Sequence, residues 1–254
     1  MAVSASLTRA LPAAAVFAVL AAVPAHAQAP AQTVPPKPYD VVKVMPAQPY
    51  GDASFAAFRK DLGAIAARKD RAALAKVTAA DFFWLGENGD KADKKKAAVD
   101  NLAAAIGLDE KDGSGWLALA VVTADPTLEE YPDRKGVLCG PATPVLDEAA
   151  ADKVAHATGT DLSEYGYITV PSADVRDAAK ASAAVIDKLG QVLVRFLPQD
   201  PPAGGAPQEP FFRIVTPAGK AGYVKADAVA PLAVDQMCYV KDGGSWKIAG
   251  YAGD

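Results

Sequence analysis

Residues 211–225 read Phe-Phe-Arg-Ile-Val-Thr-Pro-Ala-Gly-Lys-Ala-Gly-Tyr-Val-Lys. Phe211 to Val215 is a short run of strand-forming residues, and Gly222 to Lys225 ends a second. Between them, Thr216-Pro217-Ala218-Gly219-Lys220 places proline and glycine for a hairpin turn. Comparable runs lie on either side: Tyr165 to Val170, Ala184 to Ile186 and Val192 to Phe196 before it, and Val229 to Leu232 after it. Short strands separated by turn signals predict a small barrel or meander over 165–232. A polar loop, QDPPAGGAPQEP (199–210), interrupts it. A last hairpin follows in 233–254, with arms Gln236 to Val240 and Trp246 to Tyr251 and the turn Asp242-Gly243-Gly244.

Upstream the pattern changes period. Asp52 is placed to cap a helix whose Phe55, Phe58, Leu62 and Ile65 fall on one face. Asp70 caps a second helix carrying Leu74 and Val77, and Phe82 to Leu85 forms a compact apolar run. Lys91 and Lys94 to Lys96 open a third helix with Val99, Leu102 and Ile106 inside, and its lysines read as a solvated face. A fourth helix spans 114–122. The expected architecture is α+β: a helical subdomain at 52–124, a connector at 125–164, a β-barrel at 165–232 and a terminal hairpin.

Residues 1–27 carry Arg9, an apolar run through Leu20 to Val23 and the ending Pro24-Ala25-His26-Ala27, which together predict a secretory signal peptide. Residues 28–51 carry six prolines, and the early part, QAPAQTVPPKP, reads either as an extended spacer or, the preferred reading, as an unstructured N-terminal tail. The expected location is periplasmic or secreted, with no transmembrane segment after cleavage. The mature chain would hold 25 basic and 30 acidic residues, which argues against nucleic acid as a partner. Apolar residues make up 51% of the chain, but alanine supplies much of that, so the core must come from larger side chains. Two cysteines, Cys139 and Cys238, predict one disulfide in an oxidising compartment, with two buried thiols as the alternative.

Val175-Arg176, Ser182-Ala183-Ala184-Val185-Ile186, Lys188-Leu189 and Val192-Leu193-Val194 resemble the first half of a bacterial SH3-type domain. Phe212-Arg213-Ile214-Val215, Thr216 to Lys220 and Ala221-Gly222-Tyr223-Val224, closed by Ala228-Val229, resemble its second half. The chain departs from the family pattern at Asp174, at Asp177-Ala178-Ala179, at Phe211-Phe212 and in the long 199–210 loop. Val175, Val185, Ile186, Leu189, Val192, Val194, Ile214, Val215 and Val224 are expected to fill the barrel. Gly222 is expected where two backbones pass closely. The resemblance implies a ligand groove, with Tyr223 stacking on sugar or peptide and Arg176 pairing with a carboxylate; the alternative for Tyr223 is ordinary packing on the barrel surface. Arg176 could instead pair with Asp174 or Asp177. Phe211 and Phe212 alternate faces, so one is expected in the core and the other half exposed.

A second, weaker resemblance is to cone-shaped domains related to ketosteroid isomerase. It is carried by AARKDRAALAKVTAADFFW (66–84) and by VKDGGSWKIAGY (240–251). It implies an apolar pocket that Phe83, Trp84 and Trp116 could line, with ordinary core packing as the alternative. Catalytic constellations are poorly represented. His156 is the one histidine beyond the leader and reads as a surface helix residue, and Cys139-Gly140-Pro141 does not resemble a cysteine-peptidase nucleophile motif. There is no G-x-S-x-G, P-loop or G-x-G-x-x-G. The expected function is a non-catalytic envelope module, without cofactor or metal, that binds peptidoglycan or a protein partner. A small-molecule or enzymatic pocket in an isomerase-like cone and a structural accessory role are the alternatives.

Overall fold

The computed structural model describes residues 36–198 and 210–253. The signal-peptide reading, the first part of the spacer and most of the 199–210 loop lie outside the described residues. Within them the chain is α+β. It runs β1 (Val44–Met45), α1 (Ala53–Arg68), α2 (Arg71–Val77), β2 (Thr78–Gly86), β3 (Gly89–Asp90), α3 (Ala98–Ala105), α4 (Ser114–Ala124), β4 (Glu129–Glu130), β5 (Val137–Gly140) and β6 (Val145–Leu146). It continues with α5 (Glu148–Thr158), β7 (Tyr165–Ile168), β8 (Ala173–Arg176), β9 (Val185–Leu189), β10 (Leu193–Phe196), β11 (Phe211–Val215), β12 (Ala221–Lys225), β13 (Val229–Pro231), β14 (Gln236–Asp242) and β15 (Ser245–Ala252).

The first two helices start at their predicted caps. The Asp52 carboxylate accepts from the backbone N–H groups of Ser54 and Phe55, and Asp70 accepts from that of Ala73. Phe55, Leu62 and Ile65 of α1 are buried as their spacing requires, and Phe58 packs against the same cluster. The third helix begins at Ala98, later than its lysines predict. Cations are unfavourable at a helix N-terminus. Here the Asn101 side chain instead bonds the backbone N–H and C=O of Asp93, which holds the lysine stretch in a turn.

A six-stranded sheet has the order β3-β2-β15-β14-β5-β4. The terminal hairpin therefore stands at its centre, antiparallel to β5 and parallel to β2. Its turn is tight because Gly243 and Gly244 both take positive φ, 55° and 84°, between the paired residues Asp242 and Ser245. One face carries Met237, Tyr239, Trp246, Ile248 and Tyr251 against Leu62, Leu74, Leu102 and Leu119 of the helices. A bulge between Ile248 and Gly250 shifts the alternation, so Tyr251 joins Ile248 on that face. The opposite face holds Phe83, Ala249 and the Cys139–Cys238 disulfide. The two cysteines are direct cross-strand partners on β5 and β14. The bond thus fastens two strands of one sheet rather than a barrel to a helical part.

All of 141–235 lies in the chain between β5 and β14. It supplies all seven strands of a second sheet, order β13-β7-β10-β11-β12-β8-β9. Ile168, Val175, Val194, Ile214 and Val224 form its inner core, joined by Ile186 and Leu189 from one end strand and Val229 from the other. Shared burial by both ends means that the sheet wraps on itself around this core. No ladder joins β9 to β13 among the described residues.

Two interior expectations are corrected. Val185 is 45% exposed because a register shift pairs it with Arg176 on the outer face. Val215 is buried, but it also faces outward, opposite Arg195. The described end of the spacer covers this outer face: Tyr39 N–H donates to the Pro217 carbonyl, the Tyr39 hydroxyl donates to that of Val215, and Leu193 N–H donates to that of Val42. Residues 36–45 are therefore docked chain rather than a free spacer. The 125–164 stretch is likewise structured. It supplies β4 to β6 and α5, whose Asp147 cap accepts from Ala150 N–H and whose apolar face packs on Tyr165 and Leu193. His156 of α5 is exposed, as read.

Candidate functional site

Tyr223 is the centre of a cross-strand row. It pairs with Arg213 of β11 on one side and Arg176 of β8 on the other. Residues directly opposite in a ladder share a face, so Tyr223 stands half-buried on the outside of the sheet with Arg213 and Arg176 as its register neighbours. The close approach of β8 to β12 depends on Gly222. A Cβ there would sit 2.9 Å from the Arg176 carbonyl oxygen and 2.6 Å from Val175 Cγ1. This is the backbone proximity expected of that glycine.

Strands β8 and β12 pair only at Tyr223 and Arg176. Beyond that pair they separate, and a pocket of about 270 Å³ opens between them. Ala173, Val224 and Ala228 supply its apolar wall, and Ser172, Asp174, Arg176, Lys188 and Lys225 supply its polar groups. Arg176 is well fixed: Nη1 donates to the Ala183 carbonyl at 2.8 Å and Nη2 to Asp174 Oδ2 at 2.9 Å. Asp174 also lies 3.5 Å from Lys188 Nζ, so one carboxylate is shared by two cations. The Lys225 side chain has no ion-pair or hydrogen-bond partner among the described residues. The pocket therefore carries an excess of two positive charges beside a floor of small aliphatic groups.

The structure brings two of the four predicted ligand residues together. Arg176 lines the pocket, engaged with Asp174, and Tyr223 adjoins it as the residue preceding Val224. The two phenylalanines point away from each other. Phe211 is buried on the outer face, whereas Phe212 is 42% exposed at the margin of the inner face, edge-on to Phe196 with ring centres 5.4 Å apart. Neither lines the pocket. Lys188 and Lys225 are not among the predicted ligand residues. The alternation that puts Lys225 on the face of Tyr223, two residues on, was the available signal.

The aromatics of the rival pocket are dispersed. Phe83 packs at the disulfide face under Arg134, whose guanidinium carbon is 4.0 Å from the ring centre. Trp84 and Trp116 pack against the helical core instead. Trp84 Nε1 donates to the Gly253 carbonyl, closing the sheet's end. Among the described residues no group of three His, Cys, Asp or Glu side chains is arranged to hold a metal ion, and no helix is long and apolar enough to cross a membrane. No protein-family model matches the chain, and no curated protein matches it.

Proposed function

We propose that this protein is a non-catalytic module of the bacterial cell envelope, periplasmic or secreted, which binds peptidoglycan through its seven-stranded sheet. The observation that carries the reading is the cationic pocket where β8 and β12 part, beside Tyr223. It lies within the stretch that resembles a bacterial SH3-type domain. The leader-like residues 1–27 and the Cys139–Cys238 disulfide support an oxidising compartment. A pocket of about 270 Å³ falls just short of the range typical of sites that bury a whole small molecule. It suits the grasp of one projecting group on a large ligand.

The test is cosedimentation of the mature protein with purified peptidoglycan sacculi at low and moderate salt, beside Tyr223→Ala. Pelleting at both salts, lost in the variant, is expected. If the wild-type chain stays in the supernatant under both conditions, wall binding is refuted. A protein partner from the envelope then becomes the reading to pursue.

A further inference from the structure

We infer that the pocket between β8 and β12 takes a peptide carboxylate attached to a small aliphatic residue, with Lys225 and Lys188 as the groups that receive the charge. The inference rests on the binding role proposed above and names the ligand chemistry of that site.

The argument begins with charge. The four charged lining residues are Asp174, Arg176, Lys188 and Lys225. Asp174 is occupied by Arg176 at 2.9 Å and by Lys188 at 3.5 Å, so it has little capacity left for a cationic ligand. Arg176 is tied to Asp174 and to the Ala183 carbonyl, which leaves it as a fixed positive wall. The Lys225 side chain is unpaired among the described residues, and Lys188, with 69% of its side chain exposed, can turn from Asp174 to a ligand. Two such ammonium groups match one carboxylate.

Shape narrows the class. Ala173 and Ala228 offer only methyl groups, and Val224 is fully buried beneath them in the core. About 270 Å³ corresponds to the liquid volume of roughly nine waters. That space holds one or two small residues, and the rest of a larger ligand would lie outside it. The Ser172 hydroxyl adds one donor and acceptor at the rim. An alanine-like residue bearing a free carboxylate fits these limits.

The experiment titrates the full mature chain with N-acetyl-alanyl-alanine as the free acid and, separately, as its carboxamide, by heteronuclear NMR. The acid is expected to bind at least threefold more tightly than the amide, with shifts centred on residues 172–176, 188 and 224–228. Lys225→Gln and Lys188→Gln should each weaken the acid by roughly two- to fivefold, the range of one partly exposed ion pair, and leave the amide unchanged. Asp174→Asn should tighten the acid, because it removes the competing carboxylate. Equal binding of acid and amide, no binding of either, or loss of binding in Asp174→Asn while that variant keeps its fold by circular dichroism would overturn the inference. The sacculus assay separates the two claims. If sacculi pellet the wild type and the Lys188→Gln/Lys225→Gln variant equally, this pocket is not the wall contact, yet wall binding stands. If the acid binds as expected but sacculi pellet nothing, the pocket chemistry stands and wall binding falls.

Discussion

Reducing the Cys139–Cys238 bond should cost this protein a large part of its stability, and the size of the loss reports how the two sheets unfold. The cysteines are 99 residues apart in sequence and adjacent across β5 and β14. In the chain-entropy picture, closing a loop of that length removes about 4–5 kcal/mol from the unfolded ensemble. For a chain of this size that corresponds to a fall of about 10–20 °C in Tm. The full value holds only if everything between the cysteines unfolds with the rest. Were the seven-stranded sheet to stay folded while the six-stranded one melts, its own ends would hold Gly140 near Gln236. The bond would then close a short effective loop and contribute little. The described residues form one compact unit, which favours the cooperative case. Both sulfurs are fully buried, so the reduced protein should be prepared in denaturant and refolded with a phosphine reductant. Urea titrations of oxidised and reduced protein, followed by tryptophan fluorescence and far-UV circular dichroism, give the difference. Coincident transitions separated by about 4 kcal/mol are expected. A difference below about 1 kcal/mol, or two resolved transitions in the reduced protein, would refute cooperative unfolding.

Three further outcomes are expected. Gly250→Ala would bring a Cβ within 2.4 Å of the Phe83 ring, which is wedged at the disulfide face; overpacking of this kind costs about 1–3 kcal/mol, and unchanged thermal unfolding would show that the ring can yield. Asp147→Ala removes the cap that holds Ala150 N–H, so it should destabilise the protein by about 1 kcal/mol and raise amide exchange in the first turn of α5 before anywhere else. Hydrogen bonds from Ser54, and then from Lys241, hold the Asp52 carboxyl well below the usual carboxylate range. A depressed folded value means stability that is present above about pH 4 and lost as pH falls through the folded value. The acid limb of the stability curve should therefore flatten in Asp52→Asn, and an identical limb would remove Asp52 from that account.

What could be read locally was read well. Asp52 and Asp70 announced their helices because a cap is a contact of two or three residues. The 211–225 hairpin and the Gly243-Gly244 turn were legible for the same reason: positive φ demands a residue type at one position. Helix α5 was harder. Its alanines bury little, and its apolar face is completed by Tyr165, Leu193 and the docked residues 42–44, none of which is local. The sheet to which the terminal hairpin belongs was not written in the hairpin at all. Met237 and Tyr239 alternate with Cys238 and Val240. That pattern says two faces are covered but not by what. One face is covered by helices α1 to α4, and the strand that pairs with β15 is β2, far back in the chain, where Trp84 reaches a carbonyl 169 residues away. The same holds at the candidate site. Arg176 and Tyr223 could be placed together by resemblance. The pocket itself arises from the point at which two strands stop pairing, which is a property of register.

The long-range layout has a consequence for binding. The chain leaves the six-stranded sheet at Gly140 and re-enters it at Gln236. At that crossing the Gln236 side chain donates to Glu129 Oε1 at 2.6 Å and to the Pro141 carbonyl at 2.8 Å, one residue beyond the strand that holds Cys139. Tyr251, whose hydroxyl donates to Asp235, closes the same corner from β15. Burial, then that bond to Asp235, pushes the Tyr251 phenol well above its ordinary value. Entry and exit are thus fixed by one covalent and several polar links, while residues 36–45 bind the seven-stranded sheet on its outer face. A sheet held at both ends of its insertion loses little freedom when its rim engages a ligand. The lysines at the β8–β12 split are the part that must still be ordered, and each costs about 0.5–1.5 kcal/mol to immobilise. Binding at this pocket is therefore expected to be weak for a single peptide and to gain from a ligand that presents many copies, as a polymeric wall does.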